Sequence, residues 1–205
     1  MTADSYHLEN PAPPQRGNRR RFDPSRKQRI IDAAVKIIVE QGSQFVTHRA
    51  VAQVADVPLG SMTYHFQNLA DLLDQAWLKI AIRARLSFYN HFANLENPTP
   101  EDFRACFVKA LYHAQNEREL YAEALVNFAA ISAYDNRTRE HYLAYEGAQL
   151  NTLGQYVDET TSLALLTYYR GIVNQAAVKG HKARLEDFEL MVQRLTPLHS
   201  FVDHS

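Results

Sequence analysis

"ADVPLGSMTYHF", residues 55–66, decides how this chain is read. Projected as a helix at about 100° per residue, the stretch gathers Leu59, Met62 and Phe66 on one side. Gly60, Ser61, Tyr64 and His65 fall on the other, with Thr63 at the flank. An apolar back anchors such a helix on its neighbours, and an acid-free front rich in hydrogen-bonding groups can approach a phosphate-lined groove. Gly60 removes a side chain where backbone would come close. An ordinary amphipathic helix with a polar solvent face has the same pattern, so the surroundings of the stretch decide between the two.

Charge is the first of those surroundings. The 205 residues carry a net charge of −1, yet residues 16–49 hold nine basic residues against three acids, so this part stands at +6 and the remainder at −7. Clustered Arg and Lys beside an acidic body suit a small polyanion-binding portion attached to a soluble domain. "RGNRRR" lies just before the first helical pattern, where an arm can follow a backbone or enter a minor groove. Residues 1–22 are otherwise polar and Pro-rich, and are expected to form a disordered basic arm.

The helical pattern then starts. In "FDPSRKQRIIDAAVKIIVEQG", Asp23 can cap, Pro24 fits the first helical position and Gly42 can stop the helix, while Ile30, Ala34, Ile37 and Ile38 recur at helical spacing. "VTHRAVAQVADV" offers Thr47 as a cap before a short helix of small residues, and Asn68 opens the long helix "NLADLLDQAWLKIAIRARLSFYNHF". Three short helices so spaced are what a helix-turn-helix domain requires. Thr99, Pro100, Glu101 and Asp102 form a further start signal, and helices are expected at about 100–115, 118–133, 135–157, 161–179 and 185–195. No strand-like alternation competes. The predicted fold is all-α with about nine helices, an N-terminal three-helix helix-turn-helix domain at 23–68 and a C-terminal helical domain at 69–205.

Residues 24–75 resemble the DNA-binding domain of the TetR family of bacterial regulators. The family's pattern places Gly after the first helix and Thr at the start of the second, followed by "AGVSxGxLYxHFxxKxxLL". Here the chain reads "QG…THRAVAQVADVPLGSMTYHFQNLADLL", with wording similar to the RcdA-type subgroup. It departs at Asp56 for Gly, Pro58 for the capping Ser, Thr63 for Tyr and Leu69 for Lys. The candidate DNA-contacting residues are Arg19, Arg20, Arg21, Thr47, His48, Arg49, Leu59, Gly60, Ser61, Thr63, Tyr64, His65 and Asn68. The resemblance implies a double-stranded operator, read as a palindrome by a homodimer whose recognition helices lie about 34 Å apart.

By the same resemblance, residues 69–205 would bind an effector and dimerise through the last two long helices. Leu163, Leu166, Tyr169, Ile172, Val173 and Ala176 make one apolar stripe, and Phe188, Met191, Val192 and Leu195 another; intramolecular core is the competing account of both. Phe88, Phe92, Phe103, Phe107, Tyr112, Phe128, Tyr142, Tyr145 and Tyr168 are candidates to line an effector pocket, with His113, Asn127 and Gln149 as polar handles. Few internal charges favour a small apolar or amphipathic effector.

Other function classes find little support. The nine histidines are scattered, and HExxH, paired cysteines, a Gly-rich phosphate loop and G-x-S-x-G are all absent, so no catalytic residue, cofactor or metal site is expected. Cys106, beside Phe103 and Phe107, reads as buried filler. A single cysteine and the lack of a long uncharged apolar run point to a reducing cytoplasm and no membrane span. The expected function is a ligand-responsive repressor. The alternatives are a ligand-independent architectural or partner-controlled DNA-binding protein and, from another class, an enzyme or binding module with a chance helix-turn-helix match.

Overall fold

The computed structural model describes residues 23, 25–116 and 122–202. The arm at 1–22 with Arg19, Arg20 and Arg21, and also Pro24, lie outside the described residues. Among those described, nine α-helices follow one another: α1 (Arg26–Gln41), α2 (His48–Val54), α3 (Gly60–His65), α4 (Leu69–Asn90), α5 (Pro100–Asn116), α6 (Ala122–Ser132), α7 (Asn136–Leu153), α8 (Glu159–Ala177) and α9 (Leu185–Leu195).

Local chemistry fixes most of the boundaries. Ile30, Ala34, Ile37 and Ile38 are buried along α1. The helix stops at Gly42, whose φ of 105° is open to glycine and which donates to the carbonyls of Ile37 and Ile38. At the other end Asp23 is not the cap: Ser25 holds that position. Asp23 instead accepts from the Ser25 amide at 3.0 Å and hydroxyl at 2.6 Å, and pairs with Arg29 at 2.8 Å. Thr47, Asn68 and Asp158 each accept the amide of the residue three positions on, at 3.1, 2.9 and 2.8 Å. Thr99 and Asp102 cap α5 reciprocally. α7 ends at Leu153 with Gly154 as its C-cap, four residues before the 157 expected from periodicity, and Asp158 caps the start of α8. The connector between them is pinned instead by the C-terminal segment, where Val202 donates to Tyr156 and Asp158 to Ser200.

α4 belongs to both parts of the molecule. It packs on α1 and also on α6 and α7. Asp32 of α1 lies between Lys79 and Arg83 of α4, and His141 of α7 meets Asp74 of α4 at 2.9 Å. The body is completed by α5 on α8 and α9, and by α6 on α7 and α8. Two aromatic groups fill it. Phe88, Phe92, Phe103, Phe107 and Tyr156 pack ring on ring, and Trp77 stacks on Phe128 with centroids 5.4 Å apart.

Candidate nucleic-acid interface and effector cavity

Helices α2 and α3 are held from behind. Val51 and Ala52 of α2 and Met62 of α3 are buried, as is Phe66 just beyond α3. Between the helices the chain turns at Asp56, whose φ of 51° is left-handed, in the place where the TetR pattern has Gly. Aspartate tolerates this region better than most residues. Neither α2 nor α3 contains an acidic residue.

The outward side chains differ from the helical projection at two positions. Leu59, expected on the anchoring side, is 55% exposed, and Ser61, expected outward, is buried. The amides of Ser61 and Met62 bond three residues back, to Pro58 at 2.8 Å and Leu59 at 3.0 Å. That tight first turn winds faster than an α-helix and carries Leu59 off the apolar stripe. Gly60 is exposed, and a Cβ there would meet no atom of the chain, so nothing within the described residues requires glycine. Tyr64 is 79% exposed, its ring edge-on to His65. Thr47, Arg49, Thr63 and Asn68 are exposed, while His48 is half-buried with its Nε2 enclosed. Leu69, in the place of the family's Lys, packs on the core. Burial first, then the positive charges of Arg26 and Lys27, hold the His65 pKa below its ordinary value.

In the body, most residues predicted to line a pocket are core. Phe88, Phe92, Phe107 and Phe128 are almost completely buried, because aromatic rings at helical spacing have packed on one another. Tyr112 is exposed on α5, His113 meets the ring of His91, and Tyr168 is half-buried. Gln149 is 1% exposed, and both atoms of its side-chain amide lack a hydrogen-bond partner among the described residues. Of the predicted set, Tyr142 and Tyr145 line a cavity of about 220 Å³ between α6, α7 and α8. Leu125, Ala129, Val173 and Arg170 share its walls, and of these Leu125, Ala129 and Arg170 are residues that sequence reasoning did not select. Arg170 gave no signal in one dimension, since only the fold brings it to Glu146 at 2.5 Å and to the Tyr142 ring. Burial pushes the Tyr142 phenol above its ordinary pKa.

The two apolar stripes divide in the same way. Leu166, Tyr169, Val173, Phe188 and Val192 are buried within the chain against α5 and one another, so a partner cannot reach them. Leu163 at 54% and Met191 at 38% remain exposed, and Ile172, Ala176 and Leu195 are half-buried. No group of three metal-ligating side chains occurs among the described residues, and no described helix is long and apolar enough to cross a membrane.

No protein-family model and no curated protein matches the chain. Solved structures do. SCO7518 from Streptomyces coelicolor A3(2), described as a transcriptional regulator, has 24% identity and a TM-score of 0.76, over 84% of this chain and 99% of that one. The multidrug binding protein EbrR, solved with imidazole, has 28% identity and a TM-score of 0.62 over 86% of this chain and 97% of its own. EbrR has also been solved with proflavin and with ethidium. SCO1917 from Streptomyces coelicolor A3, a member of the TetR family, has 26% identity and a TM-score of 0.64 over 85% and 100% of the two chains. The chain carries the all-helical fold of the TetR family of transcriptional regulators, which is not a family of enzymes.

Proposed function

We propose that the chain is a dimeric, sequence-specific DNA-binding repressor of the cytoplasm, with α3 as its recognition helix and residues 69–205 as its effector and dimerisation domain. The observation that carries this reading is the acid-free pair α2 and α3, anchored by Met62 and Phe66 and presenting Arg49, Thr63 and Tyr64 outward. Thr47 and Arg49 at the start of α2 suit a phosphate, since free amides and a cation meet it together. Tyr64 and His65 suit the backbone beside the groove, and Gly60 leaves room for close approach. Arg19, Arg20 and Arg21 would extend the contact as an arm. The exposed residues Leu163 and Met191 are proposed to meet a second copy.

The proposed effector site is the cavity between α6, α7 and α8. An occupant there would bias α7, and α7 touches α4 through His141 and Asp74, while α4 touches α1 through Asp32. Displacement along that line would change the spacing of two recognition helices and weaken operator binding.

Selection of operators from a random duplex pool, followed by gel shift against salt, tests the reading. Affinity should fall steeply with salt, and Arg49→Ala should weaken binding and reduce the logarithmic salt slope by about one unit per subunit, about two for the dimer. Tyr64→Ala should weaken binding as well. Both side chains are exposed, so melting temperature should stay unchanged. Absence of salt-dependent binding in the unmodified protein would sink the proposal.

A further inference from the structure

Arg170 has two enclosed donors that the fold does not use. Its Nη1 donates to Glu146 Oε1 at 2.5 Å, and its guanidinium lies over the Tyr142 ring, 5.3 Å from the centroid. Nε and Nη2 are buried and have no hydrogen-bond partner among the described residues. These two N–H groups form the lateral edge of the guanidinium and point the same way, which matches both oxygens of one carboxylate. Glu146 and the Tyr142 ring hold the guanidinium plane from its other sides, so the edge is already oriented. Arg170 is also a wall of the α6–α7–α8 cavity, where Leu125, Ala129 and Val173 supply apolar surface. At about 220 Å³ the cavity is smaller than the usual 300–1,000 Å³ of drug-sized sites, which limits an occupant to about one ring.

Building on the reading of this cavity as the effector site, we infer that it takes a small aromatic or alicyclic carboxylic acid, its ring against the apolar wall and its carboxylate on the lateral edge of Arg170, which is closed off in the empty fold and is reached when the occupant parts the neighbouring side chains. A cationic ligand is the wrong chemistry here: it would face the guanidinium, and Glu146, the acid paired with Arg170, is already engaged. The amphipathic effector expected from composition thereby acquires a charge sign.

Calorimetric titration of the full chain distinguishes the possibilities. Benzoate, phenylacetate and cyclohexanecarboxylate are compared with their neutral amides and with ethidium. At least one acid should bind, with its amide about tenfold weaker or worse, since a charge-assisted bidentate pair is lost. Arg170→Lys should weaken the acid by a similar factor, because an ammonium keeps the charge for Glu146 but not the planar edge. The acid–amide comparison on the unmodified protein stands even if that variant folds poorly. Equal binding of acid and amide, undiminished acid binding by Arg170→Lys, or no acid binding at all would each overturn the carboxylate assignment. If amides or ethidium bound instead, and Ala129→Phe abolished it by filling the cavity, the effector cavity would survive without the acid. Operator binding by the same preparation is read separately by gel shift, so loss of the carboxylate leaves the regulator reading intact.

Discussion

His65 shows how one residue can couple two properties with opposite signs. Its imidazole is held below the ordinary value of about 6.5 by burial, Arg26 and Lys27, so at neutral pH it is uncharged. Its folded pKa is depressed, so as pH falls the unfolded chain takes up its proton first. The stability it contributes is present above the ordinary value and is lost as pH drops through the folded value. Phosphate acts in the other direction: a duplex beside α3 favours the charged ring. Operator affinity should therefore rise as pH is lowered from 7 toward the onset of unfolding, and this rise should be reduced in His65→Gln; gel shifts across that range at constant ionic strength check it. Gln149 offers a second test. A buried amide without partners is destabilising, and Gln149→Leu should raise stability by about 1 kcal/mol by thermal denaturation. The sequence points to Gln149 as a polar handle for an effector, but cannot show that its amide is enclosed without partners among the described residues. Arg170 was invisible at this scale because its meaning depends on Glu146, 24 positions away.

At the scale of elements, capping was the most legible feature. Thr47, Asn68 and Thr99 are local signals, each written within four residues of the hydrogen bond it makes, and each starts its helix where expected. Leu59 and Ser61 were misread because the projection assumed α-helical winding through the first turn of α3, whereas Pro58 and Leu59 accept bonds of the tighter kind. The aromatic positions were misread for another reason. Periodicity shows that a face is apolar but not whether it meets a cavity or another ring, and Phe92 with Phe103 and Phe107 met rings. The α2–α3 turn gives the prediction proper to this scale. Asp56 holds φ at 51°, a region that costs a β-branched residue about 1–2 kcal/mol and glycine almost nothing. Asp56→Val should lower the melting temperature, while Asp56→Gly should leave it unchanged or raise it. Equal destabilisation by both would mean that the Asp56 side chain, and not the backbone, holds the turn.

For the whole molecule, the decisive question is which apolar residues of α8 and α9 serve the chain itself and which are left for a second copy. Burial separates them. Phe188 and Val192 are completely enclosed against the chain's own helices, so Phe188→Ala opens a core cavity and should cost about 3–5 kcal/mol, seen as a large fall in melting temperature. Leu163 and Met191 face outward on the same two helices, and neither is needed to complete the core. A glutamate at either position leaves the monomer's packing untouched but buries a charge wherever two copies meet face to face, and in a two-fold interface each substitution acts twice. Leu163→Glu with Met191→Glu should therefore give a folded monomer by sedimentation, with a circular dichroism spectrum like that of the parent. Its operator binding should fall much further than the loss of any single phosphate contact explains, because one recognition helix reads only half a palindrome. A double variant that stayed dimeric would move the interface elsewhere; one that became monomeric yet bound its operator with undiminished affinity would remove the dimer from the mechanism.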